Sequence, residues 1–471
     1  MDPKEFRATA HQFVDWMADY LEQIETLPVR SQVNPGSIYT QLPEMPPEQP
    51  ESMQAIFEDF KRIVIPGMTH WQHPKYFAYF PANSSYPSLL AEMLTATMGA
   101  QGMLWETSPA ATEMEERVMN WLIQLLQLPK TWDGCIQTSA SSSTLVAVIS
   151  AREKYTNYTT NQQGCQQPLT AYASEHIHSS IEKAVRIAGM GSDHYRAIGV
   201  DANFAMRPDL LETAIKDDIA QGKKPACVVA AIGTTSSTAV DPLPAIAAIC
   251  QQYDVWLHVD AAFAGTAMLL PEHRHHIDGV ELADSFVFNP HKWMFTNFDC
   301  SAYFVKDKDV MLRAFSILPE YLKTRNDETV INYKDWGIQL GRRFRALKLW
   351  FVIRNFGVTG IQERLRTHIR LAETLEAEIR ETTDFELLSP RYFSLLCFRY
   401  HPRNQKLTEE RLNELNAAIV ARLNDSGKMF LTHTKLNGQY TIRLCIAQTN
   451  VAERHVQEAW AQIKEVARGH S

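Results

Sequence analysis

Nowhere in this 471-residue sequence does an apolar run approach the length of about 20 residues that crosses a bilayer, so no membrane span is expected. Basic residues are not in excess either. The net charge of -8 lacks the concentrated positive face of a nucleic-acid binder, and no nucleic-acid partner is expected. The seven cysteines include no CxxC pair and sit apart at Cys135, Cys165, Cys227, Cys250, Cys300, Cys397 and Cys445. The opening residues Met1-Asp2-Pro3-Lys4-Glu5 lack the apolar core of a secretion signal. Together these features predict reduced thiols and a cytoplasmic location. Internal repeats are absent, and the Asn-, Thr- and Gln-rich stretch Tyr155–Gln167 reads as a surface loop.

The chain is too long for one compact core and predicts two or three lobes. Asp2-Pro3 reads as a helix cap followed by a first-turn proline. Phe6, Phe13, Met17, Tyr20 and Ile24 then follow the helical period. A second helix is expected over Met53–Ile65. A greasy stripe on a terminal arm needs a surface to pack on, and a second copy of the chain offers one. From about residue 86, short buried strands alternate with helices: Ala226–Ile232, Val255–Val259 and Ser285–Phe288 are examples. This pattern predicts a mainly parallel sheet covered on both faces, with ligands beyond the carboxyl ends of its strands. A break at Gly357 precedes an α+β C-terminal segment. The expected domains are a helical arm over 1–85, a large domain over 86–359 and a small one over 360–471.

Four segments at predicted strand ends carry chemistry. In Asn289-Pro290-His291-Lys292-Trp293, a lysine follows an apolar strand directly. It reads either as a partly exposed loop lysine or as an amine that forms a Schiff base with a carbonyl cofactor. In His258-Val259-Asp260-Ala261-Ala262, a carboxylate ends a strand. It reads as a helix cap, or as the acid that keeps the pyridine nitrogen of pyridoxal phosphate (PLP) protonated. The small residues Ala261, Ala262 and Gly265 leave room for a flat ring against the backbone. Gln137–Thr144 opens a helix with hydroxyl residues and reads as a serine-rich cap or a phosphate cradle. In Glu175-His176-Ile177-His178, one histidine is placed to stack on a ring. A metal site is not expected, since no third ligand has suitable spacing. The cluster His273-Arg274-His275-His276 reads as a solvated loop.

Taken together, these segments resemble the group II PLP-dependent amino-acid decarboxylases, most closely their aromatic-L-amino-acid branch. The resemblance runs nearly end to end. It includes Thr69-His70-Trp71, Tyr76–Pro81, Ser84–Pro87, Ser108-Pro109-Ala110, Gly233-Thr234-Thr235, His258–Ala262, Asn289–Trp293, Asn297–Ser301, Leu340–Arg345 and His455–Glu465. It implies an α/β architecture of PLP-dependent transferase fold type I (aspartate-aminotransferase-like) and a homodimer with shared active sites. By the same resemblance Lys292 would hold the cofactor covalently and Asp260 would pair with its ring nitrogen. His178 would stack on one ring face and Ala262 on the other. Ser139, Ala140, Ser141 and Asn289 would contact the phosphate. His291 would lie near phosphate and substrate carboxylate, and Thr235 near His178. Trp71, Tyr79, Phe80, Pro81, Ala82, Met103 and Gly341 would line the substrate pocket.

The implied activity is a carboxy-lyase that converts dopa, tryptophan, phenylalanine, tyrosine or 5-hydroxytryptophan to the amine and CO2. Tyr321, in Leu318-Pro319-Glu320-Tyr321-Leu322-Lys323, stands where the decarboxylases carry a tyrosine and the related aldehyde synthases a phenylalanine. It favours simple decarboxylation. Gly341 enlarges the pocket and weighs against histidine as substrate. The alternatives are decarboxylation of another amino acid such as histidine, transamination on the same fold, and a PLP-binding protein without activity.

Overall fold

The computed structural model describes residues 1–317, Leu322 and 329–469. Among them the chain forms two compact units, Ala82–Arg370 with Ser389–Leu395, and Met1–Pro81 with Leu371–Leu388 and Leu396–Ser471. The N-terminal 81 residues are thus grouped with the C-terminal segment, and the boundary at Arg370 falls inside the helix Arg345–Glu381. Gly357 (φ 65°, ψ 166°) breaks that helix where the sequence places a stop.

The larger unit is built on seven strands: β1 Asp133–Gln137, β2 Leu169–Ser174, β3 Tyr195–Ile198, β4 Lys224–Ala231, β5 Trp256–Asp260, β6 Ser285–Phe288 and β7 Ser301–Val305. Their order across the sheet is β1-β7-β6-β5-β4-β2-β3. β2, β3, β4, β5 and β6 pair in parallel, while β7 runs antiparallel to both β6 and β1. β1 therefore points the same way as the parallel strands, and six carboxyl ends share one edge. The central strands are buried along almost their whole length. Helices cover both faces of such a sheet, so alternation is lost and the strands read as apolar runs.

The helix Ala140–Tyr155 packs on this sheet through small side chains. Ala140, Val146, Ala147, Val148 and Ala151 join Ala171, Ala173, Ala226, Cys227 and Val229 in one core. Close approach of helix and sheet needs residues of this size. The expected loop Tyr155–Gln167 contains one helical turn, Thr160–Gln163. Arg152 reaches Asn161 and Glu153 accepts from the Asn161 N–H, which fixes that turn.

In the other unit, β8 Phe385–Leu387, β9 Leu395–Tyr400, β10 Thr432–Leu436 and β11 Gln439–Cys445 form a sheet in the order β10-β11-β9-β8. The helices Glu409–Asp425 and Glu453–Arg468 bury Ile419, Leu423, Ala459, Trp460 and Ile463 in a core with Phe398, Ile442 and Leu444. This is the α+β pattern expected for the C-terminal segment. The N-terminal helix runs Pro3–Glu22, capped by Asp2, whose carboxylate accepts from the N–H of Lys4 and Glu5 at 2.7 and 2.9 Å. Phe13 stacks on Phe57 at 4.4 Å and Trp16 meets Phe60 edge-on at 5.1 Å. The second helix ends earlier than its periodicity suggests. It covers Met53–Asp59, then loosens into a π turn over Phe60–Val64 and a 3-10 turn at Ile65–Gly67, where Pro66 removes a donor.

Candidate active site

The shared carboxyl edge collects the segments that carry chemistry. Asp260 is the last residue of β5 and stands in register between Ala231 of β4 and Val287 of β6. Asn289–Lys292 follows β6, Gly233–Thr235 follows β4, His178 lies four residues past β2, and Ser139–Ser141 comes just after β1. Residues far apart in sequence meet here because parallel strands deliver their loops to one side.

Lys292 sits on a single helical turn, Pro290–Trp293, held from two directions. Asn83 donates its side-chain N–H to the Lys292 carbonyl at 2.7 Å and its backbone N–H to the His291 carbonyl at 3.0 Å. Trp293 stacks on Phe263 at 4.6 Å and donates Nε1–H to His368 Nδ1 at 3.0 Å. Asp260 is 8% exposed and accepts from the Ala262 N–H at 3.0 Å. That bond is a local cap, and the acidic group remains at the strand end beside it.

His178 ties the centre together. Its Nδ1 meets the Ser180 hydroxyl at 2.7 Å and accepts the Ser180 N–H at 3.1 Å, so the ring proton is on Nε2. Burial lowers its pKa; the Asp260 carboxylate pulls it back up, and the Lys292 and Lys183 ammonium groups push it down. Asp260 and Lys292 therefore both lie within electrostatic reach of this one ring. His291 is similarly defined. Its Nδ1 accepts the Cys300 N–H at 2.9 Å, and burial, with Lys292 beside it, depresses its pKa to about 3. It is a neutral imidazole presenting Nε2–H.

The hydroxyl segment also has its local bonds. Ser139 caps the helix Ala140–Tyr155, its Oγ accepting the Ser142 N–H at 3.2 Å, and Thr138 and Ser142 share a bond of 2.7 Å. Capping one N–H leaves others of the first turn without an intrahelical acceptor, which suits an anion. Asn289 is linked towards this helix. Its Oδ1 accepts from the Ser301 hydroxyl at 2.7 Å, and Ser301 lies 3.4 Å from the Ser143 hydroxyl. An acid, an amine and an anion cradle on one edge fit a flat heterocycle bearing an aldehyde and a phosphate.

Several expectations change. Gly265 does not face a ring: a Cβ there would lie 2.3 Å from Phe288 Cβ, so its smallness lets the turn after β5 pack on β6. The cluster around His273 is a 3-10 helix, Pro271–Ile277, rather than a solvated loop. His276 packs on Phe393 at 5.1 Å, and Arg274 donates to the carbonyls of Leu126 and Gln127, closing the end of the helix Pro109–Leu126. Trp71, Tyr79, Phe80 and Pro81 fall in the unit that does not contain Lys292. There Trp71 stacks on Tyr76 at 4.5 Å and Tyr79 meets Phe430 at 5.9 Å, while Arg443 lies over Phe80. Ala82 begins the larger unit. In that unit Met103 accepts the Lys334 N–H, and Gly341 lies against Gln101, whose Nε2 is 3.3 Å from the position of a Cβ. Tyr321 lies outside the described residues.

Sequence reasoning missed Asp241. This buried carboxylate accepts from the N–H of Ala231 and of Met206, both at 2.7 Å, and burial raises its pKa to about 7. It ties the returning chain to the end of β4 and so supports the turn that carries Thr235. An Asp-Pro step after the apolar Ala239-Val240 was the available signal.

Residues 35–401 match the pyridoxal-dependent decarboxylase conserved domain. Tryptophan decarboxylase 2 of Oryza sativa subsp. japonica is 43% identical, over 99% of this chain and 95% of that protein. Phenylacetaldehyde synthase of Arabidopsis thaliana is 43% identical over 99% and 96%, and tyrosine decarboxylase of Papaver somniferum 43% over 99% and 95%. The crystal structure of Oryza sativa TDC with PLP and tryptamine superposes with a TM-score of 0.96 at 35% identity, covering 100% of this chain and 99% of that one.

Proposed function

This chain belongs to the pyridoxal-dependent decarboxylase family, and we propose that it converts aromatic L-amino acids to the corresponding amines and CO2. Its fold is α/β, of fold type I, and its cofactor is PLP. The observation that carries the reading is the placement of Asp260 at the end of β5 and of Lys292 just past β6, its parallel neighbour, on the edge where six strands deliver their loops.

When bound, PLP accepts the electron pair that the departing CO2 leaves behind. The chain's own residues do the rest. Lys292 supplies the amine that holds the cofactor's aldehyde until substrate arrives. Asp260 keeps a proton on the ring nitrogen, an interaction that strengthens as negative charge develops. His178, neutral and fixed by Ser180, would stack on the ring without competing for that proton. His291 offers Nε2–H to an anionic oxygen. Ser139, Ala140, Ser141 and Asn289 would hold the phosphate, with Thr235 and Ala262 lining the ring site. Tyr321 delivers the proton to the substrate's α-carbon. Ala82, Met103 and Gly341, in the unit that carries Lys292, receive the aromatic side chain. Accelerating the step requires that these contacts tighten in the transition state rather than in the bound substrate.

The working unit is a homodimer in the cytoplasm. Supporting this are an exposed apolar stripe on the helix Tyr86–Met98 and seven cysteines that are all free. No described helix is long and apolar enough to cross a membrane.

The test is a panel of aromatic L-amino acids with amine, aldehyde and CO2 quantified, run on the protein and on Lys292→Ala. Amine and CO2 in equal amounts, lost together with the cofactor-lysine absorbance in the variant, is the expected result. A keto acid without CO2, or turnover surviving in Lys292→Ala, overturns the assignment. Aldehyde as the main product would favour the second reading, raised by the equal identity to phenylacetaldehyde synthase and opposed by the tyrosine at position 321.

A further inference from the structure

β1 is an edge strand: it pairs with β7 on one side only. Ile136, its penultimate residue, sends its N–H and C=O to side chains instead of a strand. The N–H donates to Glu115 Oε1 at 2.8 Å, and the carbonyl accepts from Arg342 Nη2 at 2.8 Å. Glu115 and Arg342 in turn bond to each other at 2.6 and 3.2 Å. Both side chains are more than nine-tenths buried, and the guanidinium lies 4.7 Å from the centre of the Tyr333 ring.

Arg342 is itself held in place. Its N–H donates to Gln101 Oε1 at 2.6 Å and its carbonyl accepts from Gly102 at 2.8 Å. The next residue of β1, Gln137, donates to the Trp336 carbonyl at 2.7 Å. An open strand edge is ordinarily left to solvent or covered by another strand. Here a buried ion pair covers it at a single residue, immediately upstream of Ser139, Ala140 and Ser141. Burying two charges is costly unless further hydrogen bonds satisfy them, and here the bonds to Ile136 do so. The pair's position suggests a use beyond filling the edge.

We propose that Glu115 and Arg342 are positioning residues for cofactor phosphate: they clamp the carboxyl end of β1 and thereby set the register of the hydroxyl cradle. The inference rests on the reading of Ser139–Ser141 as that cradle. It predicts a loss specific to the phosphate, since the ring is held from β5 and β6, which the pair does not touch.

The experiment compares the binding of PLP and of pyridoxal, which lacks the phosphate, to apoprotein of the natural sequence and of Arg342→Lys. A lysine keeps the charge but cannot hold the carboxylate and the Ile136 carbonyl in the same fork. For the natural chain PLP should bind much more tightly than pyridoxal. In Arg342→Lys that ratio should fall about tenfold, the effect of one lost charge-assisted hydrogen bond, with pyridoxal affinity unchanged. Inorganic phosphate should compete with PLP correspondingly more weakly. Should Arg342→Lys fail to fold, the neutral pair Glu115→Gln with Arg342→Gln leaves no unpaired buried charge and carries the same comparison. If PLP and pyridoxal weaken together, or neither changes, the pair only stabilises the fold and the inference is overturned. If the natural chain binds PLP no better than pyridoxal, the cradle reading itself fails.

Discussion

Buried histidines give individual residues a measurable signature in this protein. Burial depresses His258 to about 4, and both His291 and His368 to about 3. Each is neutral when folded but protonates near 6.5 when unfolded. Below pH 6.5 the unfolded chain therefore binds more protons, and stability falls as acid is added, down to the folded pKa. One such group contributes a slope of up to about 1.4 kcal/mol per pH unit. His368→Gln should flatten the loss of stability between pH 6.5 and 4, read from urea unfolding at several pH values. An unchanged slope would show that His368 is not buried neutral. At this scale the positions of Lys292, Asp260 and His178 were legible in the sequence, because each stands at or within four residues of the end of an apolar strand. His368, Asp241 and Glu115 were not, since an isolated titratable residue in a helix or loop looks like surface charge until its burial is known.

Between elements, small residues decide how closely the site can be assembled. Gly265 lets the turn after β5 rest on Phe288, the residue immediately before Asn289. Gly265→Ala should push the end of β6 outward and destabilise the protein by roughly 1–3 kcal/mol, measured by denaturant unfolding. A loss under about 0.5 kcal/mol, the ordinary range of an uninvolved surface site, would mean the contact is not restrictive. Gly233 is constrained differently. Its φ of +87° opens the turn after β4, and a Cβ would lie 2.7 Å from that of Ala264. Element types were readable from the sequence: Ser285–Phe288 matches its strand end to end, and Asp2-Pro3 opens a helix as the cap rules require. The second helix was overextended, because apolar spacing continues through Phe60–Ile65 after regular hydrogen bonding has stopped.

Across the molecule, one helix presents an apolar face that is exposed among the described residues. Tyr86, Leu90, Leu94 and Met98 recur every four residues along one helix and are between 48% and 66% exposed. The N-terminal helix Pro3–Glu22 has no buried residue at all. Solvent contact over the stripe of Tyr86–Met98 is unfavourable, and a second copy of the chain would relieve it. Leu90→Glu with Leu94→Glu should convert a dimer to a monomer by light scattering, with decarboxylation lost in parallel if the sites are shared. A dimer mass unaffected by both charges would place the interface elsewhere.

What the sequence by itself determined is a matter of local chemistry: which strands are doubly covered, where helices are capped, and which amine, acid and hydroxyl groups stand at strand ends. Those properties depend on neighbours along the chain. Only the tertiary structure decided that the strands bearing Asp260 and Lys292 lie side by side, that Gly265 serves packing, and that Glu115 and Arg342 close the edge of β1. Each of these is a contact across tens to hundreds of residues, set by the order of strands in the sheet, and periodicity along a chain carries no record of that order.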